Sequence, residues 1–192
     1  MKKVIMTAAL LACAGVMTAQ AEAQSIRGTM GVTARAGFIS PADSKGRVGD
    51  YVDTNLGFVG DLGFIYGVDD NLGFEVDLSY GKFSTDSSSG YGTGTLKGMA
   101  VGMQYRFPPA NPRLTPYMGL GVDVLIPDYK RANVDTVFGA HVRGGFDYFV
   151  DRNLAVNIDL KVTGGFEADV DGGGKFDTSN VTTMGGFRYF FR

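Results

Sequence analysis

The sequence predicts an all-β fold: an eight-stranded antiparallel transmembrane β-barrel with short periplasmic turns and longer extracellular loops. Three observations lead there. Eight stretches alternate large apolar residues with small or charged ones at period two, the spacing that sends the two sets to opposite faces of a strand. The connections between the stretches alternate in length, short at one end and long at the other. The face opposite the apolar one is crowded with glycine, of which the chain has 29 against only 6 prolines, with no collagen-like period.

The N-terminus comes first and reads as an export signal. Lys2 and Lys3 precede an apolar run from Val4 to Ala19, and Ala21-Glu22-Ala23 is a small-x-small cleavage site. The run is shorter than the roughly 20 residues a spanning helix needs. "LLAC" at Leu10–Cys13 faintly resembles an acylation box, but Leu11 is bulky beside the cut and the apolar run continues past the cysteine. Residues 1–23 are therefore expected to be removed, leaving 24–192 as the barrel domain with 16 basic and 19 acidic residues.

The first strand, about 28–39, sets Met30, Val32, Ala34, Ala36 and Phe38 against Thr29, Gly31, Thr33, Arg35 and Gly37. The second, about 55–67, sets Leu56, Phe58, Leu62, Phe64 and Tyr66 against Gly57, Asp61 and Gly63. In the third, "LGFEVDLSYG" from Leu72 to Gly81, the apolar residues enclose Glu75 and Asp77. The fourth, about 95–107, sets Met99, Val101, Met103, Tyr105 and Phe107 against Gly98, Ala100, Gly102, Gln104 and Arg106. The fifth, about 113–126, opposes Leu114, Pro116, Met118, Leu120, Val122 and Val124 to Gly119, Gly121 and Asp123. The sixth, about 136–149, opposes Phe138, Ala140, Val142, Phe146 and Tyr148 to His141, Arg143, Gly145 and Asp147. The seventh, about 154–167, carries Asn157, Asp159, Lys161 and Thr163 on its polar face, and the eighth, about 180–191, carries Met184, Gly186 and Arg188 there. "VDDN" (68–71), "PPANP" (108–112) and "DRN" (151–153) are tight turns with the residues turns favour. The stretches near 40–54, 84–94, 127–135 and 168–179 are expected as loops. "DVDGGGKFD" (169–177) lacks the spacing and closing glutamate of a calcium loop, so a mobile acidic loop is expected there and no metal.

A soluble barrel or sandwich would bury the apolar face; a membrane barrel would turn it to lipid. Glycine weakens a solvent-facing strand but suits the small lumen of an eight-stranded barrel. The aromatics of the apolar face also sort by depth. Tyr66, Phe74, Tyr105, Phe107, Tyr148, Tyr189 and Phe191 lie toward the short turns; Phe38, Phe58, Tyr80, Phe138 and Phe166 lie toward the loops. Aliphatic residues and methionine fill the band between, the pattern of two interfacial girdles. Turned inside out, the barrel would put Arg35 and Arg143 into hydrocarbon at roughly 2–4 kcal/mol each.

Composition narrows the function classes. A formal net charge of −2 gives no reason to expect a nucleic-acid partner. Cys13 is the only cysteine, which excludes an intrachain disulfide and a cysteine metal site; no cofactor is expected.

The segments "VTARAGFISP", "TNLGFVGDLGFIYGVDDNLGFEVDLSYGKF", "GMQYRF…RLTPYMGLGVDVL" and "GAHVRGGFDYFVDRNLAVNIDLK" together make the chain resemble the OmpW family of small outer-membrane barrels. The likeness spans nearly the whole chain after the signal, and "RLTPYMGLGV" and "GGFDYFVDRNLAVNIDLK" are its most specific pieces. It departs in its short loops, its lack of tryptophan, "FDTSNVTT" at the start of the eighth strand, and the ending "YFFR". Phe191 would carry the terminal aromatic signal for the barrel-assembly machinery one residue early, after delivery by periplasmic chaperones. The resemblance implies a Gram-negative outer membrane, outer-membrane lipid as surroundings, and a narrow porin-like channel or tunnel for small hydrophobic solutes, released sideways into the bilayer.

Two candidate sites follow from the inward residues. Arg35, Asp61, Glu75, Asp77, Arg106, Arg143, Asp147, Asp159, Lys161 and Arg188 mix signs densely enough for a salt-bridged plug, since an unpaired interior charge is costly. Ile39, Val59, Phe83, Leu96, Leu125 and Val137 lie higher and could line a hydrophobic vestibule or simply pack beneath the loops. The competing classes are a structural or surface-interaction barrel without transport, and a lipid-modifying enzyme built on His141 with Ser79 and Asp123 nearby. No spacing demands that triad, and a lone histidine is more often a hydrogen-bonded filler; the expectation is no enzyme and no catalytic residue.

Overall fold

The computed structural model describes residues 25–41, 44–45, 51–52, 55–84, 93–108, 111, 113–129, 136–169 and 175–191. The expected signal, residues 1–23, lies outside them. Among the described residues twelve strands form: β1 (Met30–Pro41), β2 (Ser44–Lys45), β3 (Tyr51–Val52), β4 (Gly57–Gly67), β5 (Leu72–Ser84), β6 (Thr93–Arg106), β7 (Leu114–Tyr129), β8 (Val137–Phe149), β9 (Leu154–Gly165), β10 (Glu167–Asp169), β11 (Lys175–Asp177) and β12 (Asn180–Phe191).

Eight of them close a barrel in the order β1-β12-β9-β8-β7-β6-β5-β4, every neighbour antiparallel. Closure pairs β1 with β12 from Met30↔Phe191 to Pro41↔Asn180, so no barrel edge is left open. The eight expected strands are the eight barrel strands. Their ends differ modestly: β7 runs on to Tyr129 and β5 to Ser84.

The stretches expected as loops hold something more. β10, β11, β2 and β3 make a second, four-stranded sheet from the loop-end segments. The stretch expected as a mobile acidic loop is instead partly laddered, Glu167↔Asp177 to Asp169↔Lys175. Strands of two or three residues are too short to show a period, which is why alternation did not announce them.

The barrel is inverted relative to a soluble protein. Phe58, Leu120, Phe138 and Phe166 are about two-thirds exposed or more, at 71%, 67%, 65% and 72%, while Arg188, Asp147 and Asp159 are at 0%. Hydrocarbon is the solvent that makes this arrangement favourable. The girdle aromatics sit on the outer surface in ring contacts: Tyr105 with Phe107 at 5.1 Å, Tyr189 with Phe191 at 5.1 Å, and Phe38 with Phe58 at 5.2 Å.

Glycine earns its place where the lumen is tightest. A Cβ at Gly63 would overlap Asp77 Oδ1, and one at Gly121 would overlap the Val101 carbonyl and reach within 2.6 Å of the His141 ring. The short turns are clipped to the wall by asparagine. Asn71 Nδ2 donates to the Arg106 carbonyl (2.9 Å) and Asn153 Nδ2 to the Phe190 carbonyl (2.6 Å). Before β1, Gly28 takes a φ of 70°, a left-handed bend that favours glycine. The bend tucks Ile26 under the barrel, with its N–H donating to the Asp70 carbonyl.

Candidate functional site in the barrel lumen

The inward side chains form three layers. At the short-turn end Ile26, Ile65, Phe149, Ala155 and Phe190 make an apolar floor, each no more than 6% exposed. None of these was singled out from sequence. Phase is the missed signal: Ile65 shares parity with Asp61 and Gly63, and Phe190 shares it with Arg188.

Above the floor lies the charged layer. Arg35 donates to Asp61 (Nε–Oδ1 2.7 Å) and to Asp77 (Nη2–Oδ1 2.7 Å), with Glu75 at 3.6 Å and Asp159 at 3.8 Å. Arg143 gathers three carboxylates: Asp77 at 2.6 Å, Glu75 at 3.1 Å and Asp159 at 3.1 Å. Arg188 holds Glu75 (2.9 Å) and Asp147 (3.0 Å), and its Nε donates to Thr33 Oγ1 (2.8 Å). Arg106 closes on Asp147 at 2.7 Å. Four guanidinium groups thus interlock with Asp61, Glu75, Asp77, Asp147 and Asp159, five carboxylates. Charged hydrogen bonds of this kind are worth their desolvation only when nearly every lone pair is used.

Three uncharged residues complete the layer. Tyr117 donates to Asp159 Oδ2 (2.8 Å) and lies under the Arg188 guanidinium, 5.3 Å from ring centre to Cζ. Asn157 Nδ2 donates to Tyr117 Oη (2.9 Å) and Asp147 Oδ1 (2.6 Å). The Gln104 amide, oriented so that both its ends are satisfied, donates to Glu75 at 2.9 Å and accepts from Arg188 at 3.2 Å. Tyr117 was not anticipated, although it shares phase with Gly119, Gly121 and Asp123.

Lys161 departs from the expected group. It does not join the main network but binds Asp123 Oδ1 (2.5 Å), while His141 Nδ1 meets Asp123 Oδ2 (2.7 Å). This small cluster on β7, β8 and β9 sits higher than the arginine layer. Among the described residues no hydrogen bond joins Ser79 to His141, so the three candidates for a catalytic triad are not assembled.

The roof is apolar. Ile39, Val59, Phe83, Leu96, Leu125 and Val137 come together in one cluster with Met184, each buried to between 2% and 8% exposure. The six sequence positions share one layer, and Met184 is the addition. They pack on one another across the lumen; an occupant would have to part them.

The crystal structure of the outer membrane protein OprG from Pseudomonas aeruginosa superposes with a TM-score of 0.72 at 17% identity, covering 90% of this chain and 100% of that one. Neisserial surface protein A (NspA) gives 0.66 at 18% identity over 86% and 100%. The outer membrane protein AlkL, solved in lipid bilayers, gives 0.61 at 17% over 91% and 95%. At such identities the likeness is one of fold. A comparison with curated protein sequences finds no match. The family model for the outer membrane protein beta-barrel domain matches residues 9–188, and the chain belongs to that family of outer-membrane barrels.

Proposed function

We propose that this barrel is an OmpW-type binding tunnel for small hydrophobic molecules in the outer membrane of a Gram-negative bacterium. Residues 1–23 serve as its cleaved export signal, and Phe191 as its signal to the assembly machinery. One observation carries the reading: an apolar layer of seven side chains lies directly above a lumen filled with interlocked ion pairs. An apolar solute arriving from the loop end gains about 0.8 kcal/mol for each methylene it buries among Ile39, Phe83, Leu125 and their neighbours. It gains nothing by going further, because the next layer would have to give up charged hydrogen bonds to admit it. The way out is sideways between strands. His141 is a positioned filler of the Asp123–Lys161 cluster, and the protein is no enzyme.

The tight burial of the roof favours a second reading, a structural barrel whose upper lumen never opens. Uptake into liposomes by the purified, folded barrel separates the two. Leu125→Asp and Phe83→Asp place a carboxylate in the apolar layer and abolish uptake of an apolar solute while ion leakage stays low. Unchanged uptake in both variants overturns the tunnel, and a wild-type barrel that shows neither binding nor flux of the apolar solute supports the structural barrel.

A further inference from the structure

The outer surface of the barrel is uncharged almost everywhere. Among the described barrel strands, outward positions hold only three charged residues, Lys82 on β5, Lys97 on β6 and Asp128 on β7. All three lie on adjacent strands, at the loop end. Register places them together: Lys82 pairs across from Thr95, Lys97 from Tyr80 and Ile126, and Thr95 from Asp128. The two lysines are therefore diagonal neighbours, about 7–8 Å apart at the backbone.

Their height is set by the strand. Ten residues separate Leu72, at the short-turn end, from Lys82. That is about 33 Å of strand, or about 25 Å of height at a tilt near 40°, the thickness of the apolar band. Tyr80, beside Lys97, is part of the outer girdle. Both ammonium groups thus stand where acyl chains give way to headgroups of the outer leaflet.

Internal pairing does not account for them. Asp128 reaches Lys97 only at 4.0 Å, with both side chains more than half exposed, and Lys82 has no ion pair among the described residues. The patch carries a net positive charge on a chain whose total is negative.

We propose that Lys82 and Lys97, with the Thr95 and Tyr80 hydroxyls, form a binding site for the phosphorylated headgroup of an outer-leaflet glycolipid. The occupant is an acylated glucosamine disaccharide bearing phosphate, the lipid A class. Its phosphate sits between the two ammonium groups, and its acyl chains lie down the aliphatic surface of β5 and β6 past Leu78, Val76, Met99 and Val101. Charge complementarity and depth select it together: a zwitterionic phospholipid brings no net charge, and a free anion brings no chain for that surface.

The test uses the full folded protein in neutral detergent, with native mass spectrometry counting bound lipid. Bisphosphorylated lipid A is compared with its dephosphorylated form, with phosphatidylcholine and with inorganic phosphate. Bisphosphorylated lipid A binds best. The double variant Lys82→Ala/Lys97→Ala weakens it about tenfold or more, from roughly 1 kcal/mol per basic residue. Lys82→Arg/Lys97→Arg retains binding, and Arg113→Ala, at the opposite end, leaves it unchanged. Equal binding of the dephosphorylated lipid, or equal affinity in the double alanine variant, overturns the site. So does lysine-dependent binding of inorganic phosphate as tight as that of the lipid. Both lysines are exposed, so the variants fold, as heat-modifiable gel mobility will show.

Discussion

The lower and upper lumen solve one packing problem with opposite materials. Both fill the interior of the same eight-stranded barrel, and both bury their side chains almost completely. The lower layer fills it with four arginines and their carboxylates, the upper with Ile39, Val59, Phe83, Leu96, Leu125, Val137 and Met184. In the lower layer each contact is directional. Arg143 of β8 reaches across the lumen to Asp77 and Glu75 of β5 and also holds Asp159 of β9. In the upper layer contacts are interchangeable, because apolar side chains repack with little penalty when total volume is kept. A directional layer resists opening; an interchangeable one yields to an occupant of similar chemistry. On the proposed function, entry of a solute is confined to the interchangeable layer.

The largest effect comes from breaking the directional layer. Arg143→Met leaves Glu75, Asp77 and Asp159 short of a shared partner and should destabilise the barrel by roughly 3–5 kcal/mol. Urea unfolding read by heat-modifiable gel mobility measures it, and the chain's lack of tryptophan makes the gel the more direct probe. Adding Asp77→Leu should recover part of the loss by removing a stranded charge. Ion conductance in planar bilayers should rise in the single variant. A cost below about 0.5 kcal/mol, the scale of an ordinary surface change, would mean that the ion pairs do not seal or stabilise the lower lumen.

The upper layer gives a smaller and different response. Leu125→Ala should cost about 2–3 kcal/mol, the low end for such a truncation, because neighbouring apolar groups can relax into the space. Apolar solute uptake should rise while ion conductance stays at the wild-type level. A rise in both would show that the two layers open together and that the distinction drawn between them is false.

Much of this was legible from period two alone. The parity of "VTARAGF" sends Arg35 inward and Phe38 outward whatever the register, so the roster of lumen residues follows strand by strand. Which arginine meets which carboxylate does not. Arg188 and Glu75 are 113 residues apart, and their meeting depends on barrel closure and the stagger of eight strands, which no local spacing records. Lys161 shows the limit most clearly: its parity is right and its register sets it across from Arg143, yet its ammonium turns away to Asp123 rather than joining the arginine layer. Tyr117 was hidden by its type, an aromatic in a stretch of apolar residues, although its phase is that of Asp123. The floor was hidden because half-buried aromatics are expected at both ends of every strand. Ile26 precedes the first strand and had no period to read.

That N-terminal residue supplies the smallest and last test of the layered lumen. Ile26 is held under the barrel by its neighbours: Arg27 pairs with Asp69 and Asp70, and the Ser25 hydroxyl donates to Asp70 (2.6 Å). The Asp69 carboxyl is held below its usual range, first by the Asp70 backbone N–H that donates to it and then by the Arg27 guanidinium. A carboxylate lowered on folding contributes stability above its unfolded value, and that contribution is lost as pH falls through the folded value. Both side chains are exposed, so solvent screens the pair and the effect on global stability is slight. An NMR titration should place the Asp69 midpoint below that of a free aspartate. Arg27→Ala should move it partway up and no further, because the Asp70 N–H remains. Acidification through the Asp69 midpoint should raise hydrogen exchange at the Ile26 amide, which donates to the Asp70 carbonyl, while Arg143 and Arg188 stay protected in the layer above. An Asp69 midpoint that ignores Arg27, or exchange that rises in the floor and the arginine layer together, would show that the floor is not a separately fastened part of the lumen.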